Sequence, residues 1–159
     1  MAMNKYSLYL VSLLIIAGIF SCSNDDESGL SVQEQFEKEI ELIDQYLDDN
    51  NIEALVDSAS GLRYVIKNDT ISEHPQVTDV IIFNYEGRFL SDEVFEQGDS
   101  VETTLGSLVP GFQRGLQFFS EGTSGTLFIP SYYAYGKTGQ GPVPPNTPLI
   151  FEVDLIEVK

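Results

Sequence analysis

Leu149, Phe151, Val153 and Leu155 alternate with Ile150, Glu152, Asp154 and Ile156 along the last segment of the chain. A side-chain period of two is that of a β-strand with one face against a core and charge on the other. Such a strand is not stable alone: it needs neighbours for its backbone and an apolar layer for its inner face. The preceding sequence supplies both. Leu62 to Ile66 reads as a short strand, residues 79–89 as a stronger one with Ile81, Phe83 and Tyr85 on one face, and Thr126 to Ile129 as another, closed by Pro130. A helix starts at Pro110, because proline is tolerated in the first turn where its missing N–H has no partner. Phe112, Leu116 and Phe119 then recur at i, i+4 and i+7, one face of that helix. Strands around a single helix predict an α+β domain, a sheet wrapped on one short helix.

Ahead of this domain, Ser31 and Glu34 form an S-x-x-E capping box before Phe36, Ile40, Ile43 and Leu47. That spacing predicts one apolar stripe on an acidic helix that ends near Asp49-Asn50-Asn51 and packs on the domain that follows. Residues 52–60 read as a short linker or helical turn. At 159 residues the chain has room for one domain with appendages. The predicted divisions are 1–21, 22–30, 31–60 and 61–159: a leader, an acidic tether, the helix with its linker, and the domain.

The leader reads as an address. Lys5 gives a positive start, and Leu8 to Phe20 is apolar except for Ser12 and Gly18. That run is shorter than the roughly 20 residues of a membrane-spanning helix and fits the apolar region of a secretory signal. Ile19-Phe20-Ser21-Cys22 resembles a bacterial lipobox, whose cysteine becomes the acylated first residue of the mature protein. Cys22 is the chain's one cysteine, so no intramolecular disulfide forms. The expectation is a protein of the cell envelope, held to a membrane through lipid on Cys22. Ser23-Asn24-Asp25-Asp26-Glu27 is similar to the acidic tag of some surface-exposed lipoproteins, and reads equally as a plain tether.

Charge excludes one class of partner. The formal net charge is −17, and residues 25–57 carry twelve Asp or Glu against the single Lys38. A chain without clustered Lys and Arg is not built for a phosphate backbone, so nucleic acid is excluded as a partner. Gly136-Lys137-Thr138 imitates the end of a P-loop, but Ser131 stands where its first glycine is required. His74 is the only histidine and lies beside Pro75 in a polar stretch, so neither a metal site nor a Ser-His-Asp triad is expected. Tyr132 to Pro148 holds three Gly and four Pro, an irregular length that in a compact domain is usually functional.

Several short pieces occur in a telling order: Phe83-Asn84-Tyr85-Glu86-Gly87, Val94-Phe95-Glu96, Leu105-Gly106, Val109-Pro110-Gly111-Phe112, Gly115-Leu116, Tyr133-Ala134-Tyr135-Gly136, Pro144-Pro145 and Leu149-Ile150-Phe151-Glu152-Val153. Together, from Gly61 to the C-terminus, they resemble the FKBP-type peptidyl-prolyl cis-trans isomerases. The resemblance implies a bent antiparallel sheet half-wrapping the helix, with a shallow apolar pocket between them. It makes Phe112 the pocket floor, Phe95 and Phe151 walls, and Tyr85 the neighbour of Glu96. The Val109 N–H and the Tyr135 hydroxyl become donors to substrate carbonyls, and Phe83, Val101 and Val143 complete the substrate-binding set. It implies proline-containing polypeptide clients, FK506-like macrolides as ligands, and no cofactor.

Three departures bear on rate and leave the fold untouched. Phe112 stands where Trp is common, Glu96 where Asp is common, and Val101 where an aromatic wall is usual, beside a shortened stretch from Glu96 to Leu105. The expected function is acceleration of X–Pro rotation during folding of exported proteins. The alternatives are a module that grips prolyl segments with little turnover, or an accessory lipoprotein of an envelope or motility machine.

Overall fold

The computed structural model describes residues 29–68 and 70–159. The leader and Cys22 lie outside the described residues, and with them the lipid-attachment expectation. No helix among the described residues is long and apolar enough to cross a membrane.

Six strands form one antiparallel sheet: β1 (Leu55–Asp57), β2 (Leu62–Asn68), β3 (Val80–Phe89), β4 (Val94–Thr104), β5 (Ser124–Ile129) and β6 (Leu149–Val158), in the order β1-β2-β5-β6-β3-β4. The strongly alternating last strand therefore lies inside the sheet, Phe151 opposite Leu127 on one side and Gly87 on the other. Helix α2 (Pro110–Leu116) covers the inner face. Two glycines one turn apart let it settle there. A Cβ on Gly111 would lie 2.3 Å from the Ile129 side chain, and one on Gly115 would lie 2.7 Å from Leu127. The core beneath gathers Phe83, Phe112, Leu116, Leu127, Leu149 and Leu155.

Helix α1 (Val32–Asp49) begins with the expected capping box, the Ser31 hydroxyl taking the Glu34 N–H and the Glu34 carboxylate taking the Ser31 N–H. Its stripe packs on the outer face of the sheet, where Ile43 and Leu47 meet Phe128 and Ile150. This accounts for Ile150, which the alternation puts on the charged outer face of the last strand. Glu152 and Asp154 are on that face, but Ile150 is fully buried under α1. Two-sided burial also explains why Leu127-Phe128-Ile129 is a continuous apolar run rather than an alternation.

Two other expectations change, and one strand was not predicted. Residues 52–60 are not a plain linker or helical turn, because Leu55–Asp57 joins the sheet edge as β1. Phe119 is buried but lies past the end of α2, in the turn that leads to β5. Strand β4 had no sequence signal of its own. It is an edge strand with mostly exposed side chains and slips register against β3 near Tyr85.

Replacing Ile43 with Ala should cost about 2–5 kcal/mol, since a fully buried side chain between α1 and the sheet is truncated to a cavity. Urea denaturation followed by circular dichroism checks this. A loss below about 0.5 kcal/mol would mean that α1 is not docked as described.

Candidate active site

Aromatic rings from four elements converge at one end of α2. Phe112, on the helix, stands edge-on to Phe151 of β6 with centroids 4.7 Å apart. Phe151 in turn meets Phe95 of β4 edge-on at 5.8 Å. Tyr85 of β3 touches both Phe112 and Phe151 at 6.3 Å, and Phe83 backs Phe112 at 5.8 Å. Offset and edge-on contacts of this kind are the favourable ones between aromatic quadrupoles. Glycine makes the convergence possible. A Cβ on Gly87 would come within 2.7 Å of the Phe95 ring and 2.9 Å of the Phe151 ring, and one on Gly98 would come within 2.6 Å of the Tyr85 ring.

Beside this set is a cavity of about 220 Å³ lined by Phe95, Glu96, Tyr135 and residues 140–143. Phe95, Glu96, Tyr135 and Val143 therefore reach the cavity itself. Phe112 and Phe151, 4% and 2% exposed, do not line it; they are packed behind the Phe95 ring, which Phe151 meets edge-on. Phe83 is 1% exposed and supports Phe112 and Tyr85 from beneath, so its contribution to substrate would be indirect. Val101 pairs with Phe83 across β3 and β4 and packs at the rim of the core. Val109 caps α2 in an extended conformation. Among the described residues, neither the Val109 N–H nor the Tyr135 hydroxyl is engaged in a hydrogen bond within the chain.

The electrostatics keep the phenols neutral. Burial pushes the Tyr85 hydroxyl up to about 12, and the Glu96 carboxylate beside it adds to the rise. Burial and Glu96 raise Tyr135 as well. Both therefore remain hydrogen-bond donors across the physiological range.

A larger groove of about 580 Å³ crosses the outer side of the sheet. Its polar groups are partnered: Lys67 within it and Arg88 outside its lining both bind Glu152, and Asn84 donates to Asp154. With polar walls it offers nothing to an apolar ring.

One functional support escaped the sequence. Asp57 of β1, outside the aromatic set, accepts both Nε and Nη of Arg114 on α2, together with the Ser60 hydroxyl. The Arg114 guanidinium holds the Asp57 carboxyl well below the usual aspartate range. An edge strand thus fixes the helix that carries Phe112. The Asp57–Arg114 separation in sequence, 57 positions, left no local signal.

Comparison with known proteins gives the family. The family model described as FKBP-type peptidyl-prolyl cis-trans isomerase matches residues 72–156. A probable FKBP-type isomerase FkpA from Neisseria meningitidis serogroup B is 35% identical over 106 residues, 64% of this chain and 39% of that protein. The Mip isomerase of Coxiella burnetii is 34% identical over 106 residues, 64% of this chain and 46% of that protein. The chain thus spans less than half the length of these curated relatives. Among solved structures, FkpA from Escherichia coli superposes with a TM-score of 0.69 at 27% identity, over 84% of this chain and 76% of that one. An isomerase from Pseudomonas syringae superposes equally well at 25% identity, over 84% of this chain and 99% of that one.

Two outcomes are expected. Glu96→Gln should bring the Tyr85 titration, followed by phenolate absorbance, down from about 12 but not to the ordinary value near 10, because burial is the larger cause. A return to 10 would make Glu96 the whole cause. Asp57 has a folded pKa below its unfolded one, so its contribution to stability is present above about pH 4 and fades as pH falls below that. The stability deficit of Asp57→Asn in denaturant titrations should therefore be full at pH 6 and shrink below pH 4; a deficit independent of pH would refute the pairing.

Proposed function

The chain belongs to the FKBP-type peptidyl-prolyl cis-trans isomerases, and from that premise we propose that its aromatic cavity accelerates rotation about X–Pro bonds in exported polypeptides. The observation that carries this is the Tyr135 hydroxyl in the lining of a cavity walled by Phe95, whose ring packs through Phe151 onto Phe112.

The chemistry asks for little else. Rotation about the amide meets a barrier of ~18–20 kcal/mol because resonance must be broken. No covalent bond is made or cut, so no nucleophile is needed. The planar amide is more polar than the twisted one, so a prolyl ring held against Phe95, with Phe151 and Phe112 packed behind it, has its planar ground state disfavoured. Donors that grip the flanking carbonyls only when the chain is twisted stabilise the transition state differentially. Each ~1.4 kcal/mol gained this way is a factor of ten in rate. Tyr85 and Glu96 hold the wall, Val143 closes the rim, and Val101 and Phe83 support it. The clients are proline-containing segments, and the same cavity takes FK506-like macrolides. Lipid on Cys22 would place the enzyme at an envelope membrane; this part of the proposal rests on the sequence from Leu8 to Cys22.

A second reading has one observation in its favour. The cavity is small, about 220 Å³, and Phe112 and Phe151 are almost wholly buried behind it, which suits holding a prolyl segment with little turnover.

The test is isomerisation of an Ala-Pro test peptide by the full chain in detergent. Wild type should accelerate it, Tyr135→Phe should lose about 2–10-fold, as for a net hydrogen bond of ~0.5–1.5 kcal/mol, and Phe112→Leu should lose more. Peptide binding without acceleration would favour the holding module. Acceleration unchanged in both variants would place the site elsewhere.

A further inference from the structure

Glu39 is the one acidic residue of α1 that is buried, at 1% exposure, and nothing in the proposed isomerisation uses it. A buried carboxylate is costly unless donors surround it. Here Ser131 supplies two, its N–H to one carboxylate oxygen at 2.5 Å and its hydroxyl to the other at 2.7 Å, and the Gln35 amide adds a third at 2.7 Å. Among the described residues no cation is paired with Glu39. Its entire complement of partners is thus one neighbour on its own helix and one residue of the loop beyond β5.

That residue governs the loop. The Ser131 carbonyl accepts the N–H groups of both Ala134 and Gly136, at 2.8 Å each, so the two bonds flank Tyr135. Gly136 then receives the Asn146 N–H, at 2.8 Å, which ties down the far end of the Gly/Pro-rich segment. One turn earlier on α1, Phe36 stands edge-on to Tyr132 and Tyr133, both centroids at 6.3 Å. Helix α1, which precedes the segment matched by the family model, is therefore fastened to the stretch that carries the Tyr135 hydroxyl.

We propose that Glu39 is a positioning residue, which acts through Ser131 to fix the loop that presents Tyr135 to the cavity. The inference rests on the isomerase reading for its consequence, though the mechanical link stands without it. A carboxylate suits the task because both of its oxygens accept while Ser131 presents two donors. Glutamine puts an NH2 where one of these oxygens stood, so the Ser131 hydroxyl must turn from donor to acceptor and the Gln35 amide loses its acceptor.

The experiment uses the full chain in detergent, with Glu39→Gln, Glu39→Ala, Tyr135→Phe and the Glu39→Ala/Tyr135→Phe double variant. Leu47→Ala, at the other end of the α1 stripe, controls for plain destabilisation. Amide hydrogen exchange is measured beside kcat and KM, at a temperature where every variant is folded. Glu39→Ala should speed exchange of the Ala134 and Gly136 amides at least tenfold and lower kcat about 3–10-fold with KM within twofold. Glu39→Gln should fall between, and Glu39→Ala should cost little more once Tyr135 is Phe. Leu47→Ala should lower Tm without changing kcat. Unchanged loop exchange in Glu39→Ala would overturn the proposal, as would faster exchange with an unchanged kcat, or losses from Glu39→Ala and Tyr135→Phe that simply multiply. An inactive wild type would sink the isomerase reading, and the exchange data would still decide whether Glu39 holds the loop.

Discussion

Everything at the cavity depends on how closely one short helix lies on the sheet. With Gly111 and Gly115 facing Ile129 and Leu127, the backbone of α2 rests directly on β5, and Phe112 is thereby delivered to within 4.7 Å of Phe151. A methyl group at either glycine would collide with the fully buried side chain of Ile129 or Leu127, so the helix or that side chain would have to shift. The same logic repeats on β3 and β4, where Gly87 and Gly98 leave room for the rings of Phe95, Phe151 and Tyr85. The aromatic cluster is in this sense a set of large rings made possible by a set of absent side chains.

Polar contacts then fix what the apolar packing brings together. Asp57 and Arg114 join the edge strand to α2, and the Tyr46 hydroxyl reaches Asp92 in the turn between β3 and β4. Residues N-terminal to the family-matched segment thus contact both α2 and the first turn of the sheet's far hairpin. In a chain with 25 acidic residues, most carboxylates are solvated and contribute to stability weakly. Asp57 differs because its side chain is mostly buried and its partner is a guanidinium held in a two-point contact.

Legibility in the sequence followed the range of the physics. Period-two alternation from Leu149 and the i, i+4 spacing of Phe112 and Leu116 are local, and the elements they mark are present. The Ser31–Glu34 capping box is local too, and it starts α1 where expected. Strand β4 was silent because its edge position leaves most side chains exposed, so selection for alternation is weak there. The second function of Ile150, as floor for α1, could not be read either, since an apolar residue on the outer face of a strand has no meaning until its cover is known. Order rather than period singled out the candidate site residues. Phe95, Phe112, Tyr85 and Phe151 come together from separate strands and a helix, and only the resemblance linked them beforehand. Glu39 and Asp57 were indistinguishable in sequence from the solvated acids around them, because their partners lie 92 and 57 positions away.

The central claim is that the cavity beside Phe95 and Tyr135 twists prolyl bonds. Its most direct test is nuclear magnetic resonance of a short Ala-Pro peptide with catalytic amounts of the protein, read in two directions. The account predicts exchange cross-peaks between the cis and trans peptide signals, well above the uncatalysed rate of one event in tens to hundreds of seconds. It also predicts shifts of protein signals centred on Phe95, Val109 and Tyr135. Exchange at the uncatalysed rate from a folded protein, or shifts centred on the outer groove around Lys67 and Glu152, would contradict it.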